Sequence, residues 1–164
     1  MTVKLDLGCD HAKQFGYVGV DLTKNGVVDV VATILFLPFK TESIDVVYSR
    51  RVIQHVQNDS EVVKEIFRVL KKKGVVNVIL ASWFNAFAYK IKTFGRKNKY
   101  PVFSFYTHKK LESLFSDAGF EYVLILKKRK RIVFWDYVVY AENLLGSCSE
   151  CLDCSKKYFG HGNQ

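Results

Sequence analysis

The sequence has no apolar run near the roughly 20 residues that a bilayer-spanning helix requires. An apolar strand pattern begins at about residue 3, leaving no room for a secretory leader. Its four cysteines are not spread as a disulfide framework would spread them: three crowd into "CSECLDC" (148–154), and Cys9 stands alone near the start. No internal repeat is visible. Acid is scarce in the middle, where residues 61–131 carry 17 Lys and Arg against 5 Asp and Glu, while residues 1–60 carry 6 against 7. These absences argue against a membrane-spanning, secreted or solenoid protein. The expectation is a soluble, cytoplasmic protein with no membrane partner.

What is present suits one domain with a sizeable core, since 49% of the 164 residues are hydrophobic and 15% aromatic. Short runs rich in Val, Leu and Ile at 3–8, 17–22, 27–34, 43–49 and 74–82 read as strands buried on both faces. Between the last two, Val62, Val63, Ile66, Phe67, Val69 and Leu70 recur at helical spacing. Asp59 or Ser60 is placed to cap that helix and Gly74 to stop it. Residues 83–105 lose a clean period and read as an insert with a short helix. Residues 106–120 are helical again, with Thr107 as cap and Gly119 as stop. "FEYVLIL" (120–126) and "IVFWDYVVYA" (132–141) read as an antiparallel hairpin joined by the basic turn "KKRKR" (127–131). Alternating strands and helices predict an α/β sheet with a mixed edge. The domain spans 1–141, and 142–164 forms a Cys-containing tail, expected to be flexible.

"VKLDLGCDHAKQFGYVGVDL" (3–22) has the layout of a nucleotide pocket: a strand, a glycine turn, and a second strand ending in an acid. The turn after the first strand needs glycine where a side chain would collide with a bound ligand, and Gly8 supplies it. A dinucleotide fingerprint of the form G-x-G-x-x-G is excluded, because Asp10 and Lys13 stand at its second and third glycine places.

"LDLGCD" (5–10), "GYVGVDL" (16–22), "LPF" (37–39), "SIDVVYSRRVIQHV" (43–56), "EIFRVLKKKG" (65–74) and "LESLFSDAGF" (111–120) follow one another in the order of a known motif set. The chain resembles the class I S-adenosylmethionine-dependent methyltransferases, in the branch called methyltransferase type 11. The resemblance implies a Rossmann-like class I methyltransferase sheet, mostly parallel, with an antiparallel C-terminal hairpin and an abbreviated first helix. It implies S-adenosyl-L-methionine as cofactor, held by Asp6, Gly8, Cys9 and Asp10 at the turn and by Asp21 and Leu22 at the ribose. Thr33 and Ile34 would flank the adenine, and Ser49 would complete the set. A carboxylate at Asp21 suits a ribose diol because it offers two acceptor oxygens and no competing donor.

Three departures from the family pattern stand out. Asp10 replaces a usual glycine at a position that often needs positive φ, which Asp tolerates better than most residues. Only eight residues, Cys9 to Gly16, precede the second strand, too few for a full crossover helix. Thr33 stands where relatives often place an acid. Methyl transfer depends mainly on alignment, so a protein base is optional. Tyr48, Arg50, Arg51 and His55 are the candidates for the acceptor side, with the two arginines suited to a phosphate or carboxylate. His55 reads as a hydrogen-bonded packing residue or as a proton acceptor. Trp83, Asn85 and Tyr106 either shape a substrate pocket or belong to the core.

The methyl acceptor and the oligomeric state stay open. RNA, a protein or an acidic small molecule all fit, and the basic segment 61–131 suits nucleic acid. The alternative function is a non-catalytic nucleic-acid- or protein-binding module on a degenerate methyltransferase scaffold. In the tail, Cys148, Cys151 and Cys154 with His161 have spacing compatible with zinc, against the simpler reading of a metal-free tail.

Overall fold

The computed structural model describes residues 2–94, 101–129 and 135–143. Its elements run β1 (Lys4–Leu7), β2 (Val18–Asp21), β3 (Val30–Val31), β4 (Ile44–Arg50), a 3-10 turn (Ile53–His55), α1 (Asp59–Val69), β5 (Leu70–Ala81), α2 (Trp83–Lys92), α3 (His108–Ser116), β6 (Tyr122–Arg129) and β7 (Trp135–Glu142). The described strands form one sheet in the order β3-β2-β1-β4-β5-β7-β6. Strands β1 to β5 pair in parallel, and β7 runs antiparallel to both β5 and β6. The α/β sheet with its antiparallel C-terminal hairpin is therefore as the sequence implies. No described helix is long and apolar enough to cross a membrane.

Because successive strand residues face opposite sides, the register divides the sheet cleanly. Leu5, Leu7, Val20, Val47, Val76, Val78, Val139 and Ala141 share one face and form a core with Val62, Val63 and Ile66 of α1 and Leu111, Leu114 and Phe115 of α3. On the other face Asp6, Tyr48, Asn77 and Tyr140 stand in one cross-strand row. Thr107 caps α3 by accepting from Lys110 N, and Gly119 follows its end at φ 108°. An ion pair of Lys110 Nζ with Asp59 Oδ2, 3.1 Å, ties α3 to the start of α1.

The structure differs from the sequence reading at three boundaries. The run 27–34 contributes only Val30 and Val31 to the sheet. Asn25 Oδ1 accepts from Val27 N on one side, and a turn from Thr33 O to Phe36 N bends the chain away on the other. Helix α1 stops at Val69 rather than at Gly74, because Leu70 turns to extended backbone to pair with Ile44 and enter the core. Lys71 and its neighbours are thereby strand residues, and Lys71 Nζ sits 2.9 Å from both Asp45 oxygens. Lys127 to Arg129, expected in a turn, extend β6. Residues 130–134, and the tail from 144 on with Cys148, Cys151, Cys154 and His161, lie outside the described residues.

The loop leading into β4 is clamped from α1. Leu37 N donates to Glu65 Oε1 at 2.7 Å, and Arg68 reaches both Glu65 oxygens as well as the carbonyls of Leu37 and Phe39. Hydrogen bonding from Arg68, reinforced by the Leu37 N–H against the cost of burial, holds the Glu65 carboxyl below its ordinary value. A depressed carboxyl stabilises the fold above its unfolded pKa and loses that contribution as pH falls through the folded one. Glu65→Ala is expected to lower the unfolding free energy at neutral pH by about 1–3 kcal/mol. In denaturant titrations the difference from the wild type should close as the solution is acidified below the usual glutamate range.

Candidate active site

Strand β1 ends at a backbone corner. Gly8 has φ 67° and donates its N–H to Val20 O at 2.7 Å, binding the corner to β2. A Cβ there would lie 2.2 Å from Val52 Cγ2, so glycine is required by space as well as by conformation. Asp10 adopts φ 45°, the left-handed conformation anticipated for it. It is held there at both ends: its N–H donates to Asp21 Oδ2 at 3.0 Å, and its carbonyl accepts from Asn25 Nδ2 at 2.7 Å. Thr23 N donates to the other Asp21 oxygen at 3.1 Å. Each oxygen of the Asp21 carboxylate thus keeps acceptor capacity beyond its one backbone donor.

Asp6 is 3% exposed, and its Oδ2 accepts from Gln14 N at 2.7 Å, pinning the helix-free crossover 8–17 beneath the corner. Burial pushes its pKa up, opposed by the Gln14 N–H and by the positive charges of Arg50 and Lys13. Cys9 is buried, and desolvation, with the nearby Asp6 and Asp21 charges, pushes its thiol pKa up too. Tyr48 stands edge-on to Tyr17, and burial raises its phenol as well.

A cavity of about 600 Å³ opens beside this corner, lined by Asp6, Gly8, Cys9, Asp10, Tyr48, Arg50 and Arg51 from the sequence-predicted set. His11, Ala12, Ile79, Lys128 and Asp136 complete it. All five lay outside the sequence reading, and the last three are brought in only by the register: Ile79 pairs with Arg50, and Asp136 pairs with both Ala81 and Lys128. Arg51 is committed. Its Nη2 contacts both Asp136 oxygens, at 3.0 and 2.7 Å, and Asp136 Oδ1 also accepts from Asn85 Nδ2. Arg50 is exposed and makes no ion pair among the described residues.

Other candidates stand elsewhere. Asp21 meets the cavity through its bond to Asp10, while Leu22 is exposed just beyond it. Ile34 belongs to the core, and Thr33 spends its hydroxyl oxygen on Leu35 N. Ser49 is fully buried on the core face, its Oγ donating to Leu7 O at 3.3 Å, and does not line the cavity. His55 is outside the cavity as well, with Nδ1 2.9 Å from Pro101 O. Tyr106 is core, Asn85 supports Asp136 and the Trp135 carbonyl, and Trp83 points outward from α2. Gln54 Oε1 accepts from Ala81 N, stitching the 3-10 turn to β5. Among the described residues no group of three or more metal-ligating side chains converges.

Residues 5–78 match the family model described as methyltransferase domain. The sheet order and the solved structures agree with it. This is the class I methyltransferase fold. A Thermotoga maritima S-adenosylmethionine-dependent methyltransferase superposes with TM-score 0.67 at 19% identity, covering 87% of this chain and 83% of its own. The complex between the Haloferax volcanii Trm112 methyltransferase activator and its methyltransferase gives 0.66 at 14%, with coverage of 90% and 84%. Haemonchus contortus phosphoethanolamine N-methyltransferase 2, in complex with S-adenosyl-L-methionine, gives 0.64 at 16%, and the match covers 88% of this chain and 50% of that one. No curated protein matches in sequence. The methyltransferase resemblance carried by the motifs is thus shared by the family model and by the fold.

The crowding at the Gly8 corner is directly testable. Gly8→Ala should destabilise the protein by about 1–3 kcal/mol, from left-handed strain together with the collision with Val52. Adding Val52→Ala should recover the steric part only, leaving a residual strain deficit in equilibrium unfolding.

Proposed function

We propose that the protein is an S-adenosylmethionine-dependent methyltransferase. The observation that carries this reading is the side-chain-free corner at Gly8 opening on a cavity of ligand size, with the Asp21 carboxylate fixed at its margin by Asp10 N. The donor set suits the cofactor. Carboxylates at Asp6, Asp10 and Asp21 match a sulfonium and a ribose diol, and no glycine-rich phosphate cradle is built. When bound, the cofactor supplies an activated methyl group on its sulfonium.

The residues then divide the work. Gly8, Cys9 and Asp10 present main-chain groups to the cofactor, with Asp6 holding the turn rigid through Gln14 N. Asp21 takes the ribose hydroxyls, Leu22 covers the sugar edge, and Thr33 and Ile34 offer backbone groups to the adenine. Ser49 acts at one remove, by fixing β1 to β4. Tyr48 and Arg50 face the acceptor. Arg50 and Lys128 are cavity-lining cations available to an anionic group, while Arg51, engaged by Asp136, positions the end of β4. His55 acts through the segment it anchors at Pro101. The acceptor is RNA, a protein or an acidic small molecule, and the protein works in the cytoplasm. The reading of a non-catalytic scaffold gains no support from the cavity or from the comparisons.

Titration calorimetry with S-adenosylmethionine and its demethylated product tests the reading. Measurable binding is expected, and its absence at millimolar ligand would remove the enzyme. Asp21→Ala should weaken binding at least about tenfold, since charge-assisted hydrogen bonds are worth about 1.5–3 kcal/mol.

A further inference from the structure

Helix α2 follows directly from the C-terminal end of β5, on the sheet edge where the Gly8 corner lies. Its inward side is fixed by Ala86, which is buried, and by Asn85, whose amide donates to Trp135 O. The side turned away is not polar, as a solvated helix face would be. Trp83, Phe87 and Ile91 recur every fourth residue, and Phe94 just past the helix continues their line. At 3.6 residues per turn the three helical residues lie within about 80° of one another. With Phe94 they are 47%, 49%, 59% and 88% exposed. Isolated exposed apolar residues are ordinary, but a line of four along one helix and its end is not.

The charge on the same helix selects its occupant. The sequence "WFNAFAYKIK" holds no acid, and Lys90 and Lys92 stand in the last turn, both exposed. Lys90 Nζ lies 5.5 Å from the centre of the Phe105 ring, beside the apolar line. A protein-binding face tends to exclude lysine from its centre and to carry both signs of charge at its rim. Trp and Phe on one side of a helix, with lysines as its only charges, are the pattern of a helix lying in the headgroup region of a bilayer. The surplus of 17 basic over 5 acidic residues in 61–131 adds attraction to anionic lipid.

We propose that α2 docks the protein on the surface of membranes containing anionic lipids, with Trp83, Phe87, Ile91 and Phe94 entering the interface and Lys90 and Lys92 meeting the headgroups. A helix can lie on a bilayer without crossing it, so the lack of a spanning helix among the described residues is compatible with this. The proposal departs from the expectation of no membrane partner, and it does not depend on cofactor binding or catalysis.

The full chain is tested by co-sedimentation with vesicles of phosphatidylcholine containing about one third phosphatidylglycerol, and with phosphatidylcholine alone. Retention on the anionic vesicles is expected, with a blue shift of tryptophan emission that Trp83→Phe removes. The triple variant Phe87→Ser, Ile91→Ser, Phe94→Ser should bind at least about tenfold more weakly. It should still unfold in one cooperative transition, because none of the three side chains belongs to the buried core. Lys90→Gln with Lys92→Gln should reduce the preference for anionic lipid. Absence of wild-type retention would overturn the proposal, as would equal retention of the triple variant. So would a wild-type dimer in light scattering that the triple variant converts to monomer, since the stripe would then serve a second copy of the chain.

Discussion

Gly8 and Val52 come so close that no side chain fits between them, and much of the site is arranged around that approach. The corner draws β1 against the segment that follows β4, so the first strand and the start of the 3-10 turn are packed as one unit. It also aims the Gly8 N–H at Val20 O, which brings the end of β2 alongside and sets Asp21 next to Asp10. Substitution at this point would disturb three strands together.

Around this corner the polar groups are largely used in holding shape. Asp6 accepts from the crossover backbone, Asp21 from Asp10 and Thr23, and Asp136 grips Arg51 and Asn85. Such satisfied networks make a rigid frame, since each buried acceptor left without a partner would carry a desolvation penalty. Arg50, Tyr48 and Lys128 are among the side chains that the frame leaves turned to the cavity. The division between framing and facing groups cannot be guessed from residue type: Arg50 and Arg51 are adjacent in sequence and differ in backbone hand, Arg51 having φ 61°.

Much of this was legible in the sequence, for physical reasons. Buried parallel strands require continuous apolar runs, so β1, β2, β4 and the body of β5 announce themselves. Helix α3 carries its cap and stop in Thr107 and Gly119. The left-handed Asp10 followed from the need for positive φ at a turn. What stayed hidden depended on partners distant in the chain. The end of α1 at Val69 was decided by the pairing of Leu70 with Ile44, against the local pull of lysines and Gly74. Ile79, Lys128 and Asp136 reach the cavity through strand register, which a local pattern does not encode. Ser49 illustrates the converse, since one step along a strand turns a candidate for the pocket into a core residue.

The crossover between β1 and β2 contains no helix. In many nucleotide-binding folds the first helix aims the positive end of its dipole at the ligand and favours phosphates there. Here that positive pole is missing, and the cavity is lined instead by side chains of both signs, Asp6, Asp10 and Asp136 with Arg50, Arg51 and Lys128. A ligand held there must find its partners among individual side chains and main-chain groups, without the diffuse pull of a helix end.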